Sequence, residues 1–387
     1  MTPVYLDYAA SAPVDPVVAE AMSACMTLEG NFGNPASRSH RFGWKAEQAV
    51  EKARGQVAQA IGAESREIVW TSGATESNNL AIKGVVEAAL AKLAGPVHII
   101  TSAIEHKAVL DPCQWLARRP DVELTLLAPD ADGLIRAEQV AQALRDNTVL
   151  VSLMSVNNEL GTITDVAKVG RLLADHPAVF HVDAAQALGK LPVDVNQWQV
   201  DLLSLSAHKV YGPKGMGALY VRREPQPELQ AQIHGGGHER GFRSGTLATH
   251  QIVGFGVAAE LAIQQLEVDS GRIRELRDRL WQALQTLGGV FLNGHYESLS
   301  PNHLNVSFDA VDGEVLLASL AKIAVSSGSA CNSASVAPSY VLKAIGRSDA
   351  LAHAGIRFSV GRFTSSDDID ATIAEVQRVV RLLRGER

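Results

Sequence analysis

The sequence predicts an α/β chain in which a large domain on a mostly parallel seven-stranded sheet is joined to a smaller α+β domain, and three observations carry this. First, seven short apolar runs, Glu67–Thr71, Val97–Thr101, Val122–Leu127, Val149–Met154, Val179–Asp183, Leu202–Leu205 and Ala218–Val221, are separated mostly by helical patterns of crossover length. Runs that are apolar along nearly their whole length read as strands buried on both faces, the mark of a covered parallel sheet. Second, a glycine-rich segment, GGGHERGFRSGT at 235–246, is followed by apolar residues at i, i+3 and i+4 spacing from Gln251 to Leu287. This predicts a long helix bridging to a second domain. Third, the strand candidates after Gly288 are shorter (Val290–Leu292, Asn305–Phe308, Ile356–Val360) and mix with helical patterns at Gly313–Leu320 and Asp367–Leu383. The expected division is 16–255 for the large domain, with 1–15 and 256–387 forming the small one.

Before the first strand, PVVAEAMSACMTLEG has helical spacing, GNFGNPAS interrupts it, and a second helical pattern runs through Val57. Residues 16–60 therefore read as helix, loop, helix. No internal repeat or low-complexity linker divides the chain.

Composition excludes several functions. With 387 residues, 46% of them apolar and 5% aromatic, the chain can bury a large core. Its formal net charge is −7 and it has no Lys/Arg runs, which argues against nucleic acid and against an anionic membrane surface as partner. MTPVYLDYAASAPVD has no basic segment followed by an apolar one, and no stretch approaches 18 uninterrupted apolar residues. A cytoplasmic protein is the expectation. Cys25, Cys113 and Cys331 are an odd trio without a CxxC pair, so neither a disulfide framework nor a metal site is expected.

The chemistry centres on Lys209. It stands in SAHK at the mouth of the buried strand LLSL, before a glycine-rich turn, and ligands of open α/β sheets sit outside the carboxyl ends of such strands. A lysine there serves catalysis when something keeps it near neutral or binds it covalently, and a Schiff base to pyridoxal phosphate does both. That cofactor needs a phosphate cradle, a carboxylate at its ring nitrogen, a flat partner and a cation for the substrate carboxylate. The cradle candidate is TSGATESN at 71–78, which follows a strand and opens a helix, so that N–H groups and the helix dipole converge with the Thr75 hydroxyl. A plain N-cap is the simpler account of the same residues. Ser206 and His208 can add a hydroxyl and an imidazole. Asp183 ends the strand FHVD, where a carboxylate needs a cationic partner to stay ionised, or else caps the AAQAL helix. Gln186 lies three residues on, and His106, in SAIEHKAV, can lie over the ring and move protons.

With these residues in view, the sequence resembles the cysteine desulfurases of NifS/IscS-like type, within the class-V aminotransferases. The resemblance rests on YLDYAASAPVD, GNPAS, TSGATESNN, EHKAV, NNELGT, HVDAAQALGK, SAHKVYGPKG, GGGHERGFRSGT, SSGSACNSAS and IRFSVGRFT, in the family's order along nearly the whole chain. It implies the type I fold of pyridoxal-phosphate-dependent transferases. Lys209 would hold the cofactor covalently. Ala74, Thr75, Ser206 and His208 would take the phosphate, with Thr246 from a second subunit, which implies a homodimer. Asp183 would face the ring nitrogen, Gln186 the phenolic oxygen and His106 the ring face. Asn157 would touch cofactor and substrate, and Asn34 and Arg357 substrate, the planar fork of arginine suiting a carboxylate. A salt bridge to a neighbouring acid is the simpler account of Arg357.

Cys331 decides the reaction that the resemblance implies. It lies in SSGSACNSAS, ten residues without a bulky side chain, which predicts an exposed, mobile loop. Cys25 and Cys113, in helix-like apolar surroundings, read as small buried hydrophobes. L-cysteine would yield alanine and a persulfide on Cys331, which passes to an acceptor such as an iron–sulfur scaffold or a sulfur carrier protein. No resident metal is implied, although the persulfide of Cys331 would meet a cluster in transit. Selenocysteine lyase and aminotransferase are the rival activities, and a catalytically silent docking protein the rival of another kind.

Overall fold

The computed structural model describes residues 3–327 and 337–386. Its strands are β1 (Val4–Tyr5), β2 (Ile68–Thr71), β3 (Val97–Ser102), β4 (Val122–Leu127), β5 (Thr148–Met154), β6 (Val179–Asp183), β7 (Leu202–Ser206), β8 (Gly217–Val221), β9 (Val290–Leu292), β10 (His303–Phe308), β11 (Ile323–Ala324), β12 (Ser326–Ser327) and β13 (Gly355–Ser359). Seven of them form one sheet in the order β2-β8-β7-β6-β5-β3-β4. The pairs among β3 to β7 are parallel, and β8 runs antiparallel to both its neighbours. The sheet is the mostly parallel α/β layer predicted from the apolar runs.

Alternate residues of each strand feed opposite cores. Trp70, Ile100 and Leu203 pack into one cluster with Phe180 and Phe255, while Val69, Ile99 and Leu202 pack into another with Leu80 and Leu150. Both faces are thus covered, which explains why the runs carry no polar alternation. A third cluster, with Leu6, Leu280, Val306, Phe358 and Val376, lies around the four-stranded sheet β12-β13-β10-β9.

The long helix expected from Gln251 to Leu287 is two helices, Thr249–Gln264 and Leu266–Gln285, parted at Gln265, whose φ of −105° and ψ of 1° are not helical. Periodicity misses the break because apolar spacing continues across it, but the face it serves changes. Phe255, Ala258 and Ala259 belong to the large-sheet core, whereas Ile273, Leu276 and Leu280 belong to the third cluster. A boundary at 255 falls inside the first of these helices. The N-terminal residues join the small sheet: β1 pairs in parallel with β11, and Leu6 enters its core.

Two polar clasps lie inside the large sheet. In β3, His98 meets Thr148 Oγ1 of β5 at 2.9 Å and Thr125 Oγ1 of β4 at 2.8 Å. In β6, His181 meets Ser152 Oγ of β5 at 2.8 Å and Ser204 Oγ of β7 at 2.9 Å. Each imidazole uses both ring nitrogens on hydroxyls of the flanking strands, so a neutral ring is satisfied in the interior. Burial pushes both His98 and His181 down to about 4.

Because the unfolded chain takes up these protons near pH 6.5 and the native state only near 4, stability should fall as pH drops through that window, by up to about 1.4 kcal/mol per pH unit per histidine. Urea unfolding at a series of pH values tests this. A free energy that stays flat from pH 6.5 to 4.5 would mean that the folded rings accept protons.

Candidate active site

The carboxyl ends of β5, β6 and β7 open on one cavity of about 480 Å³. Register brings them there together: Met154 pairs with Asp183, and Asp183 with Ser204. Beyond the last pair, β7 runs on to Ser206 and into a tight 3-10 turn, Ala207–Lys209. Lys209, at 209, stands where the sequence placed it, at the strand mouth, and it lines the cavity. Its Nζ donates to the main-chain carbonyl of Ala9 at 3.0 Å.

One wall is the start of the helix Ala74–Lys92. Gly73 precedes it with φ of +152°, and no atom lies within 4 Å of where a side chain would point. Across from it, a Cβ on Gly217 would come 2.6 Å from Gly73 Cα, so glycine at both positions lets the turn approach β8 while keeping its backbone open. Ala74, Thr75, Ser206 and His208 all line this end. Glu76 here is an acid near the helix start, and Arg243 pairs with it at 2.8 Å. His208 is pushed down to about 4 by burial and by Lys209 and other lysines, so the ring is neutral.

The opposite wall carries the carboxylate. Asp183 accepts from Asn78 Nδ2 on one oxygen at 2.7 Å and from the Ala185 N–H on the other at 2.9 Å. Gln186 donates to Ala9 O at 2.9 Å. His106 caps the helix Lys107–Leu116, its Nδ1 accepting from the Ala108 N–H at 3.1 Å. A nitrogen that accepts carries no proton, so the neutral ring holds its proton on Nε2. Burial lowers the His106 pKa against the pull of Asp183.

Arg357, on β13, reaches the cavity from the small sheet. It donates to Asn158 O at 2.7 Å and to Asp7 Oδ1 at 2.8 Å. The neighbouring acid anticipated as the simpler account of this arginine is therefore present, and it comes from the N-terminal YLDYAAS.

Three expected residues lie elsewhere. Asn157 uses its whole amide internally, donating to Ile104 O and accepting from the Glu159 and Leu160 N–H groups; the cavity is lined by Asn158. Asn34 lines a second cavity with Arg54 and His238. Thr246 is exposed in the segment after Gly245 and does not line the first cavity. Cys331 lies outside the described residues, five positions beyond Ser326, which pairs with Arg357 across β12 and β13. Cys25 and Cys113 are buried, and burial raises both thiols.

Sequence reasoning missed Asn78, Asn158, Asp7 and Ala9. Asn78 stands in the sequence only as the end of TSGATESN, and a main-chain carbonyl such as that of Ala9 leaves no mark in a sequence.

Whether these residues suit pyridoxal phosphate is tested by four buried polar atoms without a hydrogen-bond partner: Asn78 Oδ1, Asn158 Oδ1, Gln186 Oε1 and Arg357 Nε, all on residues that line the cavity. Each such atom costs about 1–3 kcal/mol when left unpaired, so their gathering around one cavity marks a polar ligand site. With an open helix start at one end, a held carboxylate at the other and a lysine between them, the donor set fits the group.

The pattern of the family described as Aminotransferase class-V matches residues 4–372. A cysteine desulfurase IscS of Acinetobacter baumannii (strain AYE) is 59% identical over 383 residues, covering 99% of this chain and 94% of its own. Among solved structures, a NifS-like protein aligns with a TM-score of 0.90 at 34% identity, covering 99% of this chain and all of its own. SspA in complex with cysteine aligns with a TM-score of 0.82 at 42% identity, covering 93% and 99%.

Fold and site together define a member of the class-V aminotransferase family, to which the chain belongs. Members of this family are pyridoxal-phosphate-dependent. Within it the protein is a NifS/IscS-like enzyme with cysteine desulfurase activity.

Asn78→Ala should free one oxygen of Asp183. A hydrogen bond to a charged group is worth about 1.5–3 kcal/mol, so pyridoxal phosphate should bind roughly ten- to a hundredfold more weakly. Titration of the cofactor-free protein by visible absorbance measures this. Unchanged affinity would show that Asp183 needs no help from Asn78.

Proposed function

We propose that the chain uses pyridoxal phosphate to take sulfur from L-cysteine, leaving alanine and a persulfide on Cys331, and that it hands this sulfur on for iron–sulfur cluster assembly or other sulfur-containing products. The observation that carries the reading is the set of unpaired buried polar atoms on Asn78, Asn158, Gln186 and Arg357, around a cavity that also holds Lys209 and Asp183.

When bound, pyridoxal phosphate supplies an electron sink for charge that develops at the substrate Cα. Lys209 would hold it covalently, and its Nζ would serve as the base that takes the Cα proton. Asp183, aimed by Asn78 and the Ala185 N–H, would pair with the ring nitrogen. Gln186 would face the phenolic oxygen. Ala74, Thr75, Ser206 and neutral His208 would receive the phosphate, helped by the open backbone at Gly73.

Arg357 receives the substrate carboxylate, and its unpaired Nε is one donor available for that task. Asn158, lining the cavity, takes the position intended for Asn157, while Asn157 holds the turn beneath it. His106 presents Nε2–H to the substrate, so in its neutral form it acts as a proton donor and orienting group. Cys331 as thiolate attacks the substrate sulfur; the C–S bond breaks, and the carbon skeleton takes up a proton to leave as alanine. This role rests on the sequence of the SSGSACNSAS segment.

A homodimer is part of the proposal. Leu28, Phe32, Phe42 and Trp44 are all exposed, an apolar group suited to a second copy of the chain. Thr246 would then complete the phosphate site of the partner, and Asn34 would lie near the same contact. The relatives named IscS support delivery of sulfur to iron–sulfur clusters. Cytoplasmic location accords with the sequence; among the described residues no helix is long and apolar enough to cross a membrane.

A visible spectrum near 400 nm before and after L-cysteine, with sulfide and alanine assayed in the same tube, tests the whole. Cysteine should shift the band and give equal sulfide and alanine. A shift without sulfide would favour transamination. Cys331→Ala should still bind cofactor and cysteine, with sulfide release at background, and normal persulfide-dependent turnover in that variant would remove Cys331 from the reaction. Lys209→Ala should bind the cofactor without a covalent link, read by mass spectrometry after borohydride reduction.

A further inference from the structure

We propose that Lys190 is a positioning residue for Lys209: its amine, donating to the Lys209 main-chain carbonyl at 2.6 Å, fixes the turn that aims the Lys209 side chain into the cavity. The proposal rests on reading Lys209 as the lysine that binds the cofactor.

The need for such a tie follows from the sheet. The ladder between β6 and β7 ends at Asp183 and Ser204, and a last main-chain bond joins Ala184 N to Ser204 O at 3.0 Å. Past that point one chain turns through Ala184–Lys190 and the other through Ala207–Lys209. The first carries Gln186 and the second carries Lys209, so the placement of these two side chains relative to each other is no longer set by strand pairing. The bond from Lys190 Nζ to Lys209 O crosses this gap.

Lys190 is itself anchored. Its N–H donates to Ala187 O at 3.0 Å, and its carbonyl accepts from Ser270 Oγ at 3.0 Å, a residue of the helix Leu266–Gln285. Gly189, just before it, has φ of +73°, and a Cβ there would lie 3.1 Å from Ala262 Cβ. The turn is therefore pressed onto the helix Thr249–Gln264.

The amine is buried among cations. Burial, with Lys209 and Arg362 beside it, pushes it down to about 7. Asp15 and Asp269 both pair with Arg362, and among the described residues no carboxylate forms an ion pair with Lys190. A buried lysine without an acid is costly. A stem that only filled space would be served as well by methionine, which lacks the donor.

The test is therefore Lys190→Met beside Lys190→Gln, whose amide can still donate. Two quantities are read: the rate at which cofactor-free protein mixed with pyridoxal phosphate gains the borohydride-reducible conjugate at Lys209, measured by mass spectrometry, and kcat and KM for L-cysteine. Lys190→Met should slow conjugate formation and lower kcat by about tenfold or more, the effect of losing one buried hydrogen bond, with KM changed less than twofold. Lys190→Gln should recover part of both, and it serves alone if the methionine variant does not fold. Conjugate formation and kcat within twofold of wild type in a folded Lys190→Met protein would overturn the proposal, as would a glutamine variant no better than methionine. A wild-type protein that forms no conjugate at Lys209 would overturn the reading of Lys209 itself, and this proposal with it.

Discussion

The register of β5, β6 and β7 is the constraint on which the site depends. Parallel strands end at a common edge, and a side chain at the last ladder position is held by its neighbours on both sides. Met154, Asp183 and Ser204 lie side by side in this way. A shift by one residue would turn Asp183 to the other face of the sheet. His181, two residues before Asp183, ties β6 to both flanking strands through hydroxyls, so the polar clasp that fixes register sits just beneath the carboxylate that needs it.

Charge around the cavity is distributed in opposed partners. Arg357 has Asp7, Glu76 has Arg243, and Asp183 has neutral donors on both oxygens. His106 and His208 are both shifted down by burial, so neither adds a fixed positive charge. The wall groups have their hydrogen-bond and ion-pair partners in place before a ligand arrives, which is what preorganisation requires of a site where charge must move during the reaction.

Much of this was legible in the sequence, for identifiable reasons. Strands buried on both faces leave apolar runs, and the polar residues that end such runs, Asp183 and the SAHK tetrad, stand out because they interrupt them. The break at Gln265 was not legible, since the apolar spacing persists while the core it serves changes. That Asn158 rather than Asn157 lines the cavity was not legible either: adjacent identical residues in a turn differ only in which way the backbone points them. Asp7 has no visible role in the sequence because its partner Arg357 lies 350 residues away, and Ala9 acts through its carbonyl, which every residue has. Asn34 and Thr246 lie away from the cavity.

The N-terminal segment has a consequence in time as well as in space. Asp7 meets Arg357, and the Ala9 N–H meets Ser359 Oγ at a separation of 350 residues, while the Ala9 carbonyl receives both Lys209 and Gln186. Contacts so distant along the chain are slow to form, because a long loop must close before they yield any stabilisation. During synthesis residues 7 to 9 are made well before Arg357 and Ser359, their partners. The large sheet is built from local crossovers, whereas one wall of the cavity depends on residues 7 to 9 meeting Arg357 and Ser359, so that wall is the part of the site with the longest loop to close.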